Sequence, residues 1–255
     1  MDIKAPRPLD RRSGGEGRLR TVQESLKREF PAMDVRFQKV ALREQNWNAQ
    51  WERRAGIVEA TDRIIIKPSW KKLGVRHRGK IVLHIDPNMS FGTGHHETTR
   101  LCLVLLQEYV KPGAHVLDFG SGTGIQAIAA VKLGARSALP IDSDEWAFEN
   151  ARENVKNNRV TRSVKVTKGD LQRVRTRKVD LVVANIDMPT KSKTMTTLLK
   201  QLKPDGIIIF SGLLASDLPQ FMDFLSHRNV VPLEIIEENE WVAIALTNVY
   251  AADRN

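Results

Sequence analysis

Beyond residue 60 the chain alternates between two hydrophobic rhythms. Short apolar runs bounded by polar residues, Gly or Pro predict strands at "RIIIKP" (63–68), "KIVLHI" (80–85), "HVLDFG" (115–120), "SALPID" (137–142), "SVKVTKGD" (163–170), "VDLVVANI" (179–186) and "GIIIFSG" (206–212). Longer stretches predict helices over 97–110, 123–134, 144–157, 190–202 and 216–227, and two last strands follow, "VVPLEIIEE" (230–238) and "EWVAIALTN" (240–248). Strands alternating with helices imply an α/β fold, a mostly parallel sheet covered on both faces. Upstream, Val22, Leu26 and Phe30 fall at i, i+4 and i+8 in "TVQESLKREF" (21–30), a short helix that Pro31 ends, and "MDVRFQKVAL" (33–42) alternates as a strand. Residues 1–20 have no apolar period and are rich in Arg, Gly and Pro, which predicts a basic disordered tail. The expected division is a tail (1–20), a reduced N-terminal region with its linker (21–62) and a main domain (63–250).

With 255 residues, 41% of them hydrophobic, the chain can bury one sizeable α/β core and a small appendage. No apolar run is long enough to span a bilayer, and the N-terminus lacks the apolar segment of a secretory signal. The single cysteine, Cys102, lies in an apolar run and is expected in the core; a reducing, cytoplasmic setting fits. The net charge is +10, and its densest part, 152–178, carries ten Lys/Arg against Glu153 and Asp170. Such a run is either a solvated face or a contact with RNA or an RNA-bearing particle. Aromatics are not interleaved with it, so stacking on single-stranded bases is not expected.

The chemistry centres on "VLDFGSGTG" (116–124), a strand that ends in a glycine-rich turn before a helix. Glycines allow a sharp turn and close approach of backbone to a ligand, and the helix start offers free N–H groups. Dinucleotide, nucleotide and sulfonium-cofactor sites all use such a turn. Asp118 narrows the choice, because a carboxylate here repels a pyrophosphate and suits a cationic cofactor. Asp142 ends the next strand, where an acidic residue takes ribose hydroxyls, and Asp170 ends the third, where an adenine amine could be received. Turn or cap roles are the structural alternatives, and for the Asp142-Ser143-Asp144 run capping falls to Asp144. His95, His96 and Glu97 suggest a metal, but adjacent histidines diverge and no further ligands are near, so loop packing or hydrogen bonding is the better reading.

Taken together, "EQNWNAQWE" (44–52), "DPNMSFGTGHHETTR" (86–100), "VLDFGSGTGIQAIAAVKLGA" (116–135), "IDSDEWAFENARENV" (141–155), "ANI" (184–186) and "SGLL" (211–214) make the chain similar to the bacterial ribosomal protein L11 methyltransferases (PrmA). These are class I enzymes that use S-adenosylmethionine to methylate lysine and N-terminal amines of a large-subunit ribosomal protein. The resemblance implies a Rossmann-like seven-stranded sheet with helices on both faces, preceded by a truncated α+β piece, and a monomer is expected. It implies that Phe91 closes over the methionine part of the cofactor, that Gly92 and Gly94 let that loop move, and that Thr99 hydrogen-bonds the cofactor. Gly120 and Gly122 would contact it through the backbone, Asp142 would hold the ribose, and Asn185 would sit at the mouth of the methyl-transfer site. Trp47 and Trp51 would brace the junction of the two parts. The chain departs from the family in its short N-terminus and in "DMPTKSKTMTT" after "ANI", which would put Asp187, Lys191 and Lys193 near the active-site rim.

Transfer from a sulfonium needs alignment more than acid–base machinery, and the amine must be neutral to attack. The Asn185 amide oxygen and a carbonyl of the "ANI" turn would aim its lone pair. Asp187 is either a proton acceptor through water or, the better reading, an N-cap ahead of Pro189. Two other functions stay open: methylation of RNA or another protein, and a non-catalytic cofactor- or RNA-binding protein.

Overall fold

The computed structural model describes residues 26–28, 56–86, 90–171 and 178–248. The chain divides into two compact units, Met1–Trp47 and Asn48–Asn255. In the first, residues 26–28 are helical, inside the helix predicted over 21–30; the tail, the 33–42 strand, Trp47 and also Trp51 lie outside the described residues.

The second unit contains two sheets. The smaller joins β1 (Val58–Glu59), β2 (Ile64–Lys67) and β3 (Ile81–His84) in that order, β2 antiparallel to β1 and parallel to β3. The larger is built from β4 (His115–Phe119), β5 (Ser137–Asp142), β6 (Thr167–Lys168), β7 (Val179–Asn185), β8 (Leu202–Leu214), β9 (Val230–Glu238) and β10 (Trp241–Asn248), in the order β6-β5-β4-β7-β8-β10-β9. Its pairs from β6 to β8 are parallel, while β10 runs antiparallel to both β8 and β9. This is the expected mostly parallel seven-stranded sheet. Two details correct the sequence reading. The 63–68 and 80–85 strands pair with each other outside the large sheet. The 163–170 strand shrinks to Thr167–Lys168, with Val164 making only a bridge to Ala138, because Val164 alone of the run is buried.

Among the described residues of this unit there are five α-helices: α1 (Glu97–Tyr109), α2 (Ile125–Lys132), α3 (Glu145–Asn157), α4 (Met188–Gln201) and α5 (Leu218–Ser226). Successive residues of a strand point to opposite faces, and the core divides accordingly. Val116, Leu181, Val183, Ile209 and Ala243 join α1 and α2 in one apolar layer. Leu117, Val182, Ala184, Ile208, Phe210 and Ile244 join α4 and α5 in the other. Burial on both faces is why the central strands read as unbroken apolar runs. Strand order reverses between β4 and β7, and in open parallel sheets the crevice at such a reversal, beyond the carboxyl ends of the strands, is where ligands bind.

Candidate active site

At that crevice β4 gives way to the glycine turn. Gly122 adopts φ +52°, and a Cβ there would stand 2.3 Å from the Phe91 carbonyl oxygen. The turn is therefore packed backbone to backbone against the 90–100 loop, and Thr123 N–H donates to the same carbonyl at 2.9 Å. Asp142, the last residue of β5, ties the turn down: its carboxylate accepts from Gly122 N–H at 2.9 Å and from Asp144 N–H at 3.0 Å. Asp144 caps α3 by accepting from Ala147 N–H, as its position in the sequence suggested. A carboxylate has about four acceptor sites, so Asp142 retains capacity for a diol.

Two adjoining cavities, of about 340 and 470 Å³, open here. Gly120 and Asp142 line both; Asp170 lines the first, and Phe91, Gly122 and Asn185 line the second. The crevice thus gathers six of the predicted site residues. It also collects Asp144 and Trp146, and among the described residues neither cavity is lined by Lys or Arg. Asn185, the last residue of β7, donates from Nδ2 to Thr98 Oγ1 at 3.1 Å.

Asp118 and Thr99 are placed differently from the rest. Asp118 is fully buried behind the turn, where it accepts from Ala127 N–H at 3.1 Å in the first turn of α2. Burial pushes its carboxyl up to about 7; the Ala127 hydrogen bond opposes this and the Asp142 charge adds to it. Thr99 is buried, and its hydroxyl has no partner among the described residues. The same is true of Ser90 and Ser121 hydroxyls. It is the neighbouring Thr98 that grips Asn185.

The 90–100 loop is held rather than loose. Arg100 donates to the Gly94 and His95 carbonyls and pairs with Glu238 of β9 at 2.6 Å. A Cβ on Gly94 would stand 2.2 Å from Ile66 Cδ1, so this glycine allows close packing onto β2. His96 caps α1 by accepting from Thr98 N–H, and its ring lies edge-on between Phe91, at 5.3 Å, and Trp241, at 4.9 Å. Hydrogen bonding and packing are therefore its observed roles. Phe91 itself is about half exposed over the second cavity.

Of the residues that sequence set near the rim, Asp187 takes the N-cap role that was its better reading, and Lys191 needs revision. Asp187 caps α4, accepting from Thr190 N–H at 2.7 Å, and hydrogen bonding from the Thr190 side chain and then this backbone bond hold its carboxyl below the usual range. Lys191 is not at the rim at all: it is fully buried. Burial pulls its ammonium down to about 8. A sequence signal for this existed, since Lys191, Met195 and Leu198 form the buried stripe of α4 at i, i+4 and i+7. Trp146 and Trp241 had no comparable signal, because their place depends on which elements meet. Cys102 is buried as expected, and burial raises its thiol to about 12.

The ribosomal protein L11 methyltransferase (PrmA) family pattern matches residues 16–248. The ribosomal protein L11 methyltransferase of Acetivibrio thermocellus is 41% identical over 203 residues, which is 80% of this chain and 64% of that protein. That of Dictyoglomus turgidum is 35% identical over 227 residues, 89% of this chain and 75% of the relative. A crystal structure of ribosomal protein L11 methylase from Lactobacillus delbrueckii subsp. bulgaricus superposes with a TM-score of 0.70 at 30% identity, covering 75% of this chain and 98% of that one.

Proposed function

The chain belongs to the ribosomal protein L11 methyltransferase (PrmA) family, and from that premise we propose that it transfers methyl groups from S-adenosylmethionine to lysine or N-terminal amines of ribosomal protein L11. One observation carries the cofactor assignment. The crevice presents Asp142, Asp144 and Asp170 with no lining cation among the described residues, next to a turn in which a Cβ at Gly120 or Gly122 would clash. That charge suits a sulfonium and its ammonium and repels a pyrophosphate. The Ser90 hydroxyl, at the lining of the second cavity, is buried with no partner among the described residues and is a polar group that a bound molecule could engage.

S-Adenosylmethionine supplies, when bound, a methyl group already activated for displacement. Asp142 would hold the ribose hydroxyls, Asp170 the adenine amine, Gly120 and Gly122 the chain of the cofactor, and Phe91 would cover it. The acceptor lysine has a solution pKa of about 10.4 and must shed a proton, which desolvation in the cleft favours. Asn185 meets that amine with its carbonyl oxygen, because its NH₂ is engaged by Thr98. Rate then comes from holding the lone pair in line. Residues 21–62 would contribute to acceptor recognition, with 63–250 as the catalytic domain and 1–20 as a tail.

The basic segment 152–178 would rest on ribosomal RNA in a cytoplasmic encounter with the nascent or assembled large subunit. Arg152, Lys156, Arg159, Arg162, Lys165 and Lys168 are all exposed. Arg152 pairs with Glu149 and Lys168 with Glu145; the other four have no acidic partner among the described residues.

Radiolabelled S-adenosylmethionine, incubated with the protein and with ribosomal proteins both free and assembled, tests this reading. Label confined to L11 is the expected result. Label in RNA or in a different protein would move the acceptor, and tight cofactor binding with no label in any of them would favour a binding protein without turnover.

A further inference from the structure

Among the described residues one of the largest fully buried side chains belongs to a lysine, and it bonds to Ile186, which lines the first cavity. Lys191 stands in the first turn of α4 on the stripe that Met195 and Leu198 continue into the core. Its Nζ donates to two backbone carbonyls, Ile186 O and, at 2.8 Å, Gly212 O. Ile186 follows Asn185 at the end of β7, and Gly212 lies near the end of β8, the strand beside it. These two segments are pressed together. A Cβ on Gly212, whose φ is +72°, would stand 2.6 Å from Ile186 O and 3.2 Å from Asn185 Oδ1. Two carbonyl oxygens turned to one buried point repel each other and are costly to leave unpaired. The Lys191 amine satisfies both with one group.

We propose that Lys191 is a positioning residue for methyl transfer: it clamps the end of β7 at Asn185–Ile186 to β8 at Gly212 and so fixes the Asn185 carboxamide at the mouth of the crevice. This rests on the methyl-transfer reading. Asn185 is then held from two sides, by Thr98 in front and by the clamped strand end behind.

Lys191 is not the base. It is 0% exposed and touches neither cavity. The charged groups it feels are Asp187 at the cap of α4 and Asp217 before α5; the Cys102 thiol of α1, also nearby, stays neutral. A neutral amine still carries two N–H donors, enough for both carbonyls, so the clamp survives titration.

The test uses the full chain, S-adenosylmethionine and ribosomal protein L11, with the variants Lys191→Met, Lys191→Gln, Asn185→Ala and the double variants with Asn185→Ala. Lys191→Met removes both donors at similar size; Lys191→Gln keeps a shorter donor and carries the test in the same cycle should the Met variant not fold. Lys191→Met is expected to leave cofactor affinity within about threefold and lower kcat by at least about tenfold, and to add little in the Asn185→Ala background, since residues that act as a unit are non-additive. Hydrogen exchange should quicken about tenfold in peptides covering 184–190 and 210–214 while the rest of the sheet is unchanged. An unchanged kcat, or a loss that simply adds to that of Asn185→Ala, overturns the clamp. Wild-type protein that binds S-adenosylmethionine but never labels L11 fails earlier, at the functional reading, and removes the clamp's role with it.

Discussion

Asp118 is a carboxyl group in the core, and replacing it with Asn should stabilise the protein in a pH-dependent way. The side chain is 1% exposed, and burial moves its pKa from 3.8 to about 7. Three units at about 1.4 kcal/mol each make the ionised form cost about 4 kcal/mol in the folded state. The sign follows from proton uptake. Between pH 4 and 7 the folded protein holds a proton that the unfolded chain has lost, so this group's contribution falls as pH rises and is level above 7. Asn keeps an oxygen for the Ala127 N–H and never ionises. Its NH₂ finds no assured acceptor there, at a cost of about 1–3 kcal/mol. The net gain at pH 8 should be about 1–3 kcal/mol, a few degrees in Tm at about 2–4 °C per kcal/mol for a protein of this size. Urea unfolding of both proteins at pH 5, 6, 7 and 8 measures it. The stability difference should grow by about 2 kcal/mol from pH 5 to 7. A difference that does not change with pH would refute the reasoning. So would a loss of S-adenosylmethionine affinity of tenfold or more, since it would put the carboxylate in the cofactor site rather than behind it.

Asp142→Ala should weaken S-adenosylmethionine binding by about 1.5–3 kcal/mol in calorimetry, as expected for a charge-assisted hydrogen bond; unchanged affinity would remove Asp142 from the site. Asn185→Ala should lower kcat more than it weakens the cofactor, and equal losses in both would make it a cofactor ligand instead. Gly122→Ala should lower both Tm and cofactor affinity, because the new methyl group meets the Phe91 carbonyl oxygen at 2.3 Å and the residue must hold φ +52°; a left-handed non-glycine costs about 1–2 kcal/mol before any clash. A variant with wild-type Tm would show that the 90–100 loop yields freely.

The legible part of the site lies where hydrophobic runs stop. A buried parallel strand ends at the first residue that faces water, and the carboxyl ends of parallel strands lie along one edge. Asp142 and Asn185 are the last residues of β5 and β7, Gly120 follows β4, and Gly169–Asp170 follow β6. Each stands out in the sequence as a polar residue or glycine closing an apolar run, and the fold brings them together because β4, β5, β6 and β7 are parallel neighbours. The same rule explains the small errors. The 163–170 run alternates too weakly to bury both faces, so it pairs over only two residues at the sheet edge.

What was illegible arrives from elements that cross the edge rather than end on it. Thr98 and Thr99 are adjacent on α1, and which of them meets Asn185 depends on the rotation of that helix, which sequence spacing does not set to within one residue. Trp241 reaches the Phe91 loop only because β10 returns antiparallel between β8 and β9. Asp118 and Lys191 are the hardest cases, since a charge in a sequence is normally assigned to water. Both occupy core positions by period: Asp118 between buried Leu117 and partly buried Phe119 on a strand covered on both faces, Lys191 on the apolar stripe of α4. Period therefore outranks residue type in deciding which way a side chain points. A charged residue on the buried period, close to a strand's carboxyl end, marks backbone groups that apolar side chains could not satisfy: for Asp118 the Ala127 N–H at the start of α2, and for Lys191 the carbonyls of Ile186 and Gly212.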